Sequence, residues 1–85
     1  MIVTFFGSVL ECTNDEESIE TGPCHSLREL SDVLVGRYGE PFNELLIKGE
    51  CFFLVNGKGV MKSGGLDTLL DSGDRIDILP FVDAG

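Results

Sequence analysis

Tryptophan is absent from this 85-residue chain, and it has one tyrosine and one histidine. One histidine and three scattered cysteines cannot assemble a nucleophile, a base and an orienting group, so no catalytic triad is expected. The cysteines are Cys12, Cys24 and Cys51; their number is odd and no CxxC occurs, which excludes a disulfide framework. Cys24-His25 with Cys12 suggests a metal site as a rival reading. The spacing matches no zinc pattern, so no metal is expected. Basic residues are also scarce: six against fifteen acidic ones, for a net charge of -9. That balance excludes nucleic acid, whose phosphates need a basic face, and it disfavours an anionic membrane surface. Long apolar runs are missing too. No stretch approaches membrane-spanning length, and residues 1–10 lack the positive flank of a targeting segment. The expectation is a cytoplasmic protein.

Acidity fits docking to a basic protein partner, and it fits simple solubility equally well. At 42%, the apolar fraction is enough for one core, so residues 1–85 read as a single domain with a short tail from about residue 81.

Met1-Ile2-Val3-Thr4-Phe5-Phe6-Gly7 is rich in β-branched and aromatic residues and predicts a first strand. The acidic stretch 11–20 reads as a solvated connection with a weak strand near 18–21; it lacks the alternating oxygen ligands and fixed glycine of a calcium loop. Ser26 and Glu29 form a capping box, and Leu27, Leu30, Val33, Leu34 and Tyr38 follow at helical spacing. Gly39 supplies the stop and Pro41 prevents continuation, with a short helical turn near 42–47. Cys51-Phe52-Phe53-Leu54-Val55 reads as a strand covered on both faces. Asn56-Gly57 turns the chain into a brief return strand at 59–62, and 66–70 suits one helical turn. Gly57-Lys58-Gly59 and Lys62-Ser63-Gly64-Gly65 lack the order of a phosphate-binding loop, because Met61 precedes Lys62.

Arg75 opens a last strand in which Ile76 and Ile78 alternate with Arg75 and Asp77. The isoleucines then face the core. Continued parity puts Leu79 and Phe81 on the water side, and the same alternation turns Phe6 outward. If the first and last strands are neighbours, the three form one exposed patch of the kind that marks partner surfaces. A covering loop or a register shift at Pro80 is the alternative. The element order predicts an α+β domain, a mixed sheet packed on one main helix.

Phe5-Phe6-Gly7, the helix near Ser26, Val55-Asn56, and Leu70-Asp71-Ser72-Gly73-Asp74 followed by a strand into Leu79-Pro80 occur here in one order. In that order the chain resembles the MoaD/ThiS family of sulfur carriers, which have a ubiquitin-like β-grasp fold. Spacing to the end favours the MoaD branch. The resemblance implies a carrier and not an enzyme. An E1-like partner would adenylate the Gly85 carboxylate with ATP, and sulfur transfer would convert it to a thiocarboxylate. A synthase subunit would then take the sulfur to build molybdopterin for molybdenum and tungsten cofactors. The chain itself would bind no cofactor. Phe6, Leu79, Pro80, Phe81, Val82, Asp83 and Ala84 would meet the partners. Family alternatives are thiamine-type sulfur delivery and ubiquitin-like protein modification, and a non-conjugating interaction module is a third. A glycine end suits a carboxylate that must enter a narrow channel, having no Cβ to obstruct it. Two positions depart from the family pattern: Phe81 stands where the branch has a second proline, and Ala84 replaces the first glycine of the terminal pair.

Overall fold

Residues 1–60 and 65–81 are described by the structure, a computed structural model. The predicted first strand forms as β1 (Ile2–Phe5), and Gly7–Cys12 follows as a 3-10 segment. The weak strand is real: β2 (Ser18–Glu20) pairs antiparallel with β1. Next come α1 (Leu27–Tyr38), α2 (Glu40–Ile47), β3 (Cys51–Val55), β4 (Lys58–Gly59) and β5 (Arg75–Pro80). The sheet order is β2-β1-β5-β3-β4, with β1 and β5 parallel at its centre and the other neighbours antiparallel. This is the expected mixed sheet in an α+β layout.

The core lies between the sheet and the helices. Val3, Phe5, Phe53, Ile76 and Ile78 from the sheet meet Leu27, Leu30 and Leu34 from α1 and Phe42 from α2. Phe5 sits edge-on to Tyr38 and Phe42, with ring centroids 5.6 and 6.3 Å away. Each such buried side chain contributes on the order of 1.5–3 kcal/mol through the apolar area removed from water.

Several local expectations need correction. Ser26 caps α1 as predicted, its Oγ accepting from the Glu29 amide at 3.2 Å. The return arm differs, because Glu29 Oε2 accepts from the His25 amide at 3.2 Å, one residue upstream of the cap. Val33 does not belong to the buried stripe and is 44% exposed; Ser31 takes its place among the buried residues. At 3.6 residues per turn, Val33 lies about 120° around the axis from the line through Leu27, Leu34 and Tyr38.

The short turn expected near 42–47 is a full second helix. Gly39, at φ +81°, ends α1 and starts α2 at once. Pro41 blocks α1, yet it falls in the first turn of α2, where its missing N–H costs nothing. Of the return strand only Lys58–Gly59 forms in the described chain, Met61 and Lys62 lying outside it. The turn expected at 66–70 shrinks to a 3-10 segment, Gly65–Asp67.

Candidate functional site

The site is built by two parallel neighbours. In register, Val3 lies beside Ile76 and Phe5 beside Ile78, and these four side chains are 0–2% exposed on the inner face. One residue on, alternation turns Phe6 and Leu79 outward. The Phe6 amide donates to the Ile78 carbonyl at 3.0 Å, so the ladder continues far enough to hold Phe6 in place. On its other side β5 pairs with β3, Leu79 opposite Phe52. Phe6, Leu79 and Phe52 therefore form one row across three strands.

Phe81 completes the row. Its ring centroid is 5.1 Å from that of Phe52, and its amide donates to the Glu50 carbonyl at 3.1 Å. Phe6 and Phe81 are 42% and 49% exposed, while Phe52, Leu79 and Pro80 are half-buried. The opposite end of the same outer face is mixed, with Ile2 exposed beside Arg75 and Leu54 opposite Asp77. There Thr4 lies beside Asp77, and Arg75 reaches Asp77 at 3.8 Å. The outward aromatic residues Phe6, Phe52 and Phe81 thus collect where the chain leaves β5. An exposed aromatic cluster flanked by charge is suited to docking a partner. A depression of about 420 Å³, lined by Ser8, Leu45, Gly49, Glu50, Pro80 and Phe81, opens beside this root.

Of the sequence-predicted site residues, Phe6, Leu79, Pro80 and Phe81 come together at this place. Val82, Asp83, Ala84 and Gly85 lie outside the described residues. Phe52 was missed. The run Cys51–Val55 read as covered on both faces, but Phe52 and Leu54 point outward and are only half-buried. Parity counted back from the Asn56-Gly57 turn separates them from the inner Phe53.

The thiols are poor nucleophiles. Burial, with Cys12 and Glu50 nearby, pushes Cys51 up to about 11. Burial likewise raises Cys12 and Cys24, whose Sγ atoms approach the carbonyls of Pro41 at 3.6 Å and Gly22 at 3.8 Å. Thiolate chemistry needs the opposite shift. His25 is exposed and pairs with Glu29 at 3.3 Å. Among the described residues, no group of three His, Cys, Asp or Glu could hold a metal ion, and no helix is long and apolar enough to cross a membrane.

The model of the ThiS family matches residues 3–85. No curated protein matches by sequence. Solved structures do match. The chain is 25% identical to one in an Amycolatopsis orientalis BexX/CysO complex, with TM-score 0.81, covering 99% of this chain and 98% of that one. Small archaeal modifier protein 1 of Methanosarcina acetivorans gives 25% identity and TM-score 0.78, covering 99% and 94%. A chain in the Helicobacter pylori complex of molybdopterin-converting factor subunits 1 and 2 gives 31% identity and TM-score 0.69, covering 99% and 96%. These likenesses establish the ubiquitin-like β-grasp expected from the sequence.

Proposed function

The chain belongs to the ThiS family of ubiquitin-like sulfur carriers, and from that premise we propose that it carries sulfur as a thiocarboxylate on Gly85 for molybdopterin synthesis. Proteins of this family are not enzymes; they act with partner enzymes. The observation that carries the reading is the apolar row of Phe6, Leu79, Phe52 and Phe81 gathered at the root of the tail. A partner docked there has the last residues within reach of its own active site.

An E1-like partner would bind ATP. The Gly85 carboxylate attacks the α-phosphorus, pyrophosphate leaves, and an acyl adenylate forms. A sulfur nucleophile then displaces AMP to give the thiocarboxylate. A synthase subunit takes that sulfur for the dithiolene. The partner must supply the positive groups that stabilise these steps; this chain supplies a docking face and an acceptor. Val82, Asp83 and Ala84 would lie in the partner's channel, which must accept the methyl of Ala84. Three free cysteines fit a reducing, cytoplasmic setting.

The molybdopterin branch is supported by the 31% identity to the Helicobacter pylori chain. A second reading is sulfur delivery to another acceptor or attachment to proteins. It is favoured by the higher TM-scores, 0.81 and 0.78, of the CysO complex and the archaeal modifier.

The test is intact mass after incubation with the E1-like enzyme of the same organism, ATP and a sulfide source. One oxygen replaced by sulfur is the expected result, and an unchanged mass refutes the carrier chemistry. Transfer of that sulfur to a pterin precursor, by the synthase subunit, separates the two readings. A carrier that charges but joins lysine side chains instead belongs to the second.

A further inference from the structure

We infer that the exit direction of the tail is set by a clamp within this chain, and that Gly7 is its positioning residue. The inference rests on the carrier reading above. Three contacts hold residues 80 and 81. Pro80 packs on Gly7, the Phe81 amide donates to the Glu50 carbonyl at 3.1 Å, and the Phe81 ring lies 5.1 Å from that of Phe52.

Gly7 has a double reason to be glycine. Its φ is +58°, and a Cβ added there would stand 2.9 Å from Pro80 Cγ and 3.3 Å from Cδ. At every other described glycine an added Cβ meets nothing within 4 Å. Among the described glycines the close approach is therefore particular to Gly7, and it brings the 3-10 segment against the last residue of β5. The proline ring fixes its own φ, which removes one further freedom at the same point.

The lever arm explains why the root matters. The four residues beyond Phe81, out to Gly85, span at most about 14 Å, so a tilt of about 10° at the root moves the carboxylate by about 2 Å. Misplacement on that scale costs rate, because the carboxylate must meet the α-phosphorus in line. A root ordered before docking also leaves less freedom to be lost on binding. Gly7 touches neither ATP nor carboxylate; it acts through Pro80.

The experiment compares Gly7→Ala, Pro80→Ala and the double variant. Hydrogen exchange at the Phe81 amide is read in the free protein. Pyrophosphate release by the E1-like partner, with ATP, gives kcat and KM for the carrier. Both single variants should lose Phe81 protection and lower kcat roughly ten- to hundredfold, with a smaller change in KM. The double variant should recover melting temperature relative to Gly7→Ala, since the colliding ring atoms are gone, yet recover no kcat. A purely structural glycine would regain rate together with stability. The clamp is overturned if kcat follows the folded fraction, or if the Phe81 amide stays protected in every variant. If Gly7→Ala does not fold, Pro80→Ala decides by the same two readouts. Wild-type protein that releases no pyrophosphate refutes the carrier reading instead, and Phe81 exchange then decides the clamp alone.

Discussion

The Tyr38 hydroxyl donates to Glu16 Oε1 at 2.9 Å, and Arg37 Nη2 reaches Oε2 of the same carboxylate at 3.2 Å. The end of α1 thus ties down the acidic connection that leads into β2. Hydrogen bonds from Arg37 first, and then from Tyr38, hold Glu16 below its ordinary value of 4.5. A carboxylate lowered in the folded state stabilises above its unfolded pKa, and that stability is lost as pH falls through the folded value. Glu16→Gln should therefore be less stable than the parent at neutral pH, with the gap closing below about pH 4.5. Urea midpoints at neutral and acid pH measure it. A gap that persists in acid assigns the loss to packing around Tyr38 rather than to charge.

Neighbouring phenylalanines on β3 should behave oppositely. Phe53 is 7% exposed and belongs to the core, so Phe53→Ala should cost about 3–5 kcal/mol through lost burial and an unfilled cavity. Phe52 faces outward against Phe81. Phe52→Ala should leave stability within about 1 kcal/mol of the parent. If the proposed adenylating partner docks on this row, the substitution should weaken its binding about tenfold or more, as loss of a central aromatic of an interface does. Calorimetric titration against that partner, beside thermal melts, separates the two effects. Unchanged affinity would remove Phe52 from the docking face.

That contrast shows what sequence patterning could and could not reach. Parity on β1 and β5 placed Val3, Phe5, Ile76 and Ile78 inside and Phe6 and Leu79 outside, because each strand alternates polar with apolar residues or ends on a clear exposed aromatic. The run 51–55 carries no such alternation. A face kept apolar for a partner looks the same, in sequence, as a face buried in the core. The helix α2 was obscured because Pro41 is both a stop for one helix and a favoured first-turn residue for the next. The Gly7–Pro80 contact joins positions far apart in the chain, and no local pattern encodes it.

The thiol of Cys51 should be nearly inert in the native protein. With burial pushing it up to about 11, little thiolate exists at mildly alkaline pH. Iodoacetamide should label Cys51 slowly until urea unfolds the chain, as peptide mapping by mass spectrometry can follow. The raised value also carries a stability consequence. The folded protein holds the proton between the unfolded value, near 9, and about 11, so stability contributed by Cys51 is complete below pH 9 and lost as pH rises through 11. Cys51→Val should flatten that alkaline decline in urea midpoint; an unchanged slope would mean that the thiol is not the titrating group.

Ser31 offers the opposite case, a residue the fold would do better without. It occupies the buried stripe of α1 at 5% exposure, and among the described residues its Oγ has no hydrogen-bond partner. Burying an unpaired hydroxyl costs about 1–3 kcal/mol, and serine is also a weaker helix former than alanine. The methyl of alanine fits inside the space that the serine side chain already fills, so no overpacking arises. Ser31→Ala should therefore raise unfolding free energy by about 1 kcal/mol, read as an increased urea midpoint at unchanged m-value. Since Ser31 lies on the helix side of the core, away from the row formed by Phe6, Leu79 and Phe52, the proposed charging of Gly85 should be unaffected. A loss of stability on substitution would instead show that the hydroxyl is satisfied, most simply by the helix carbonyl one turn earlier.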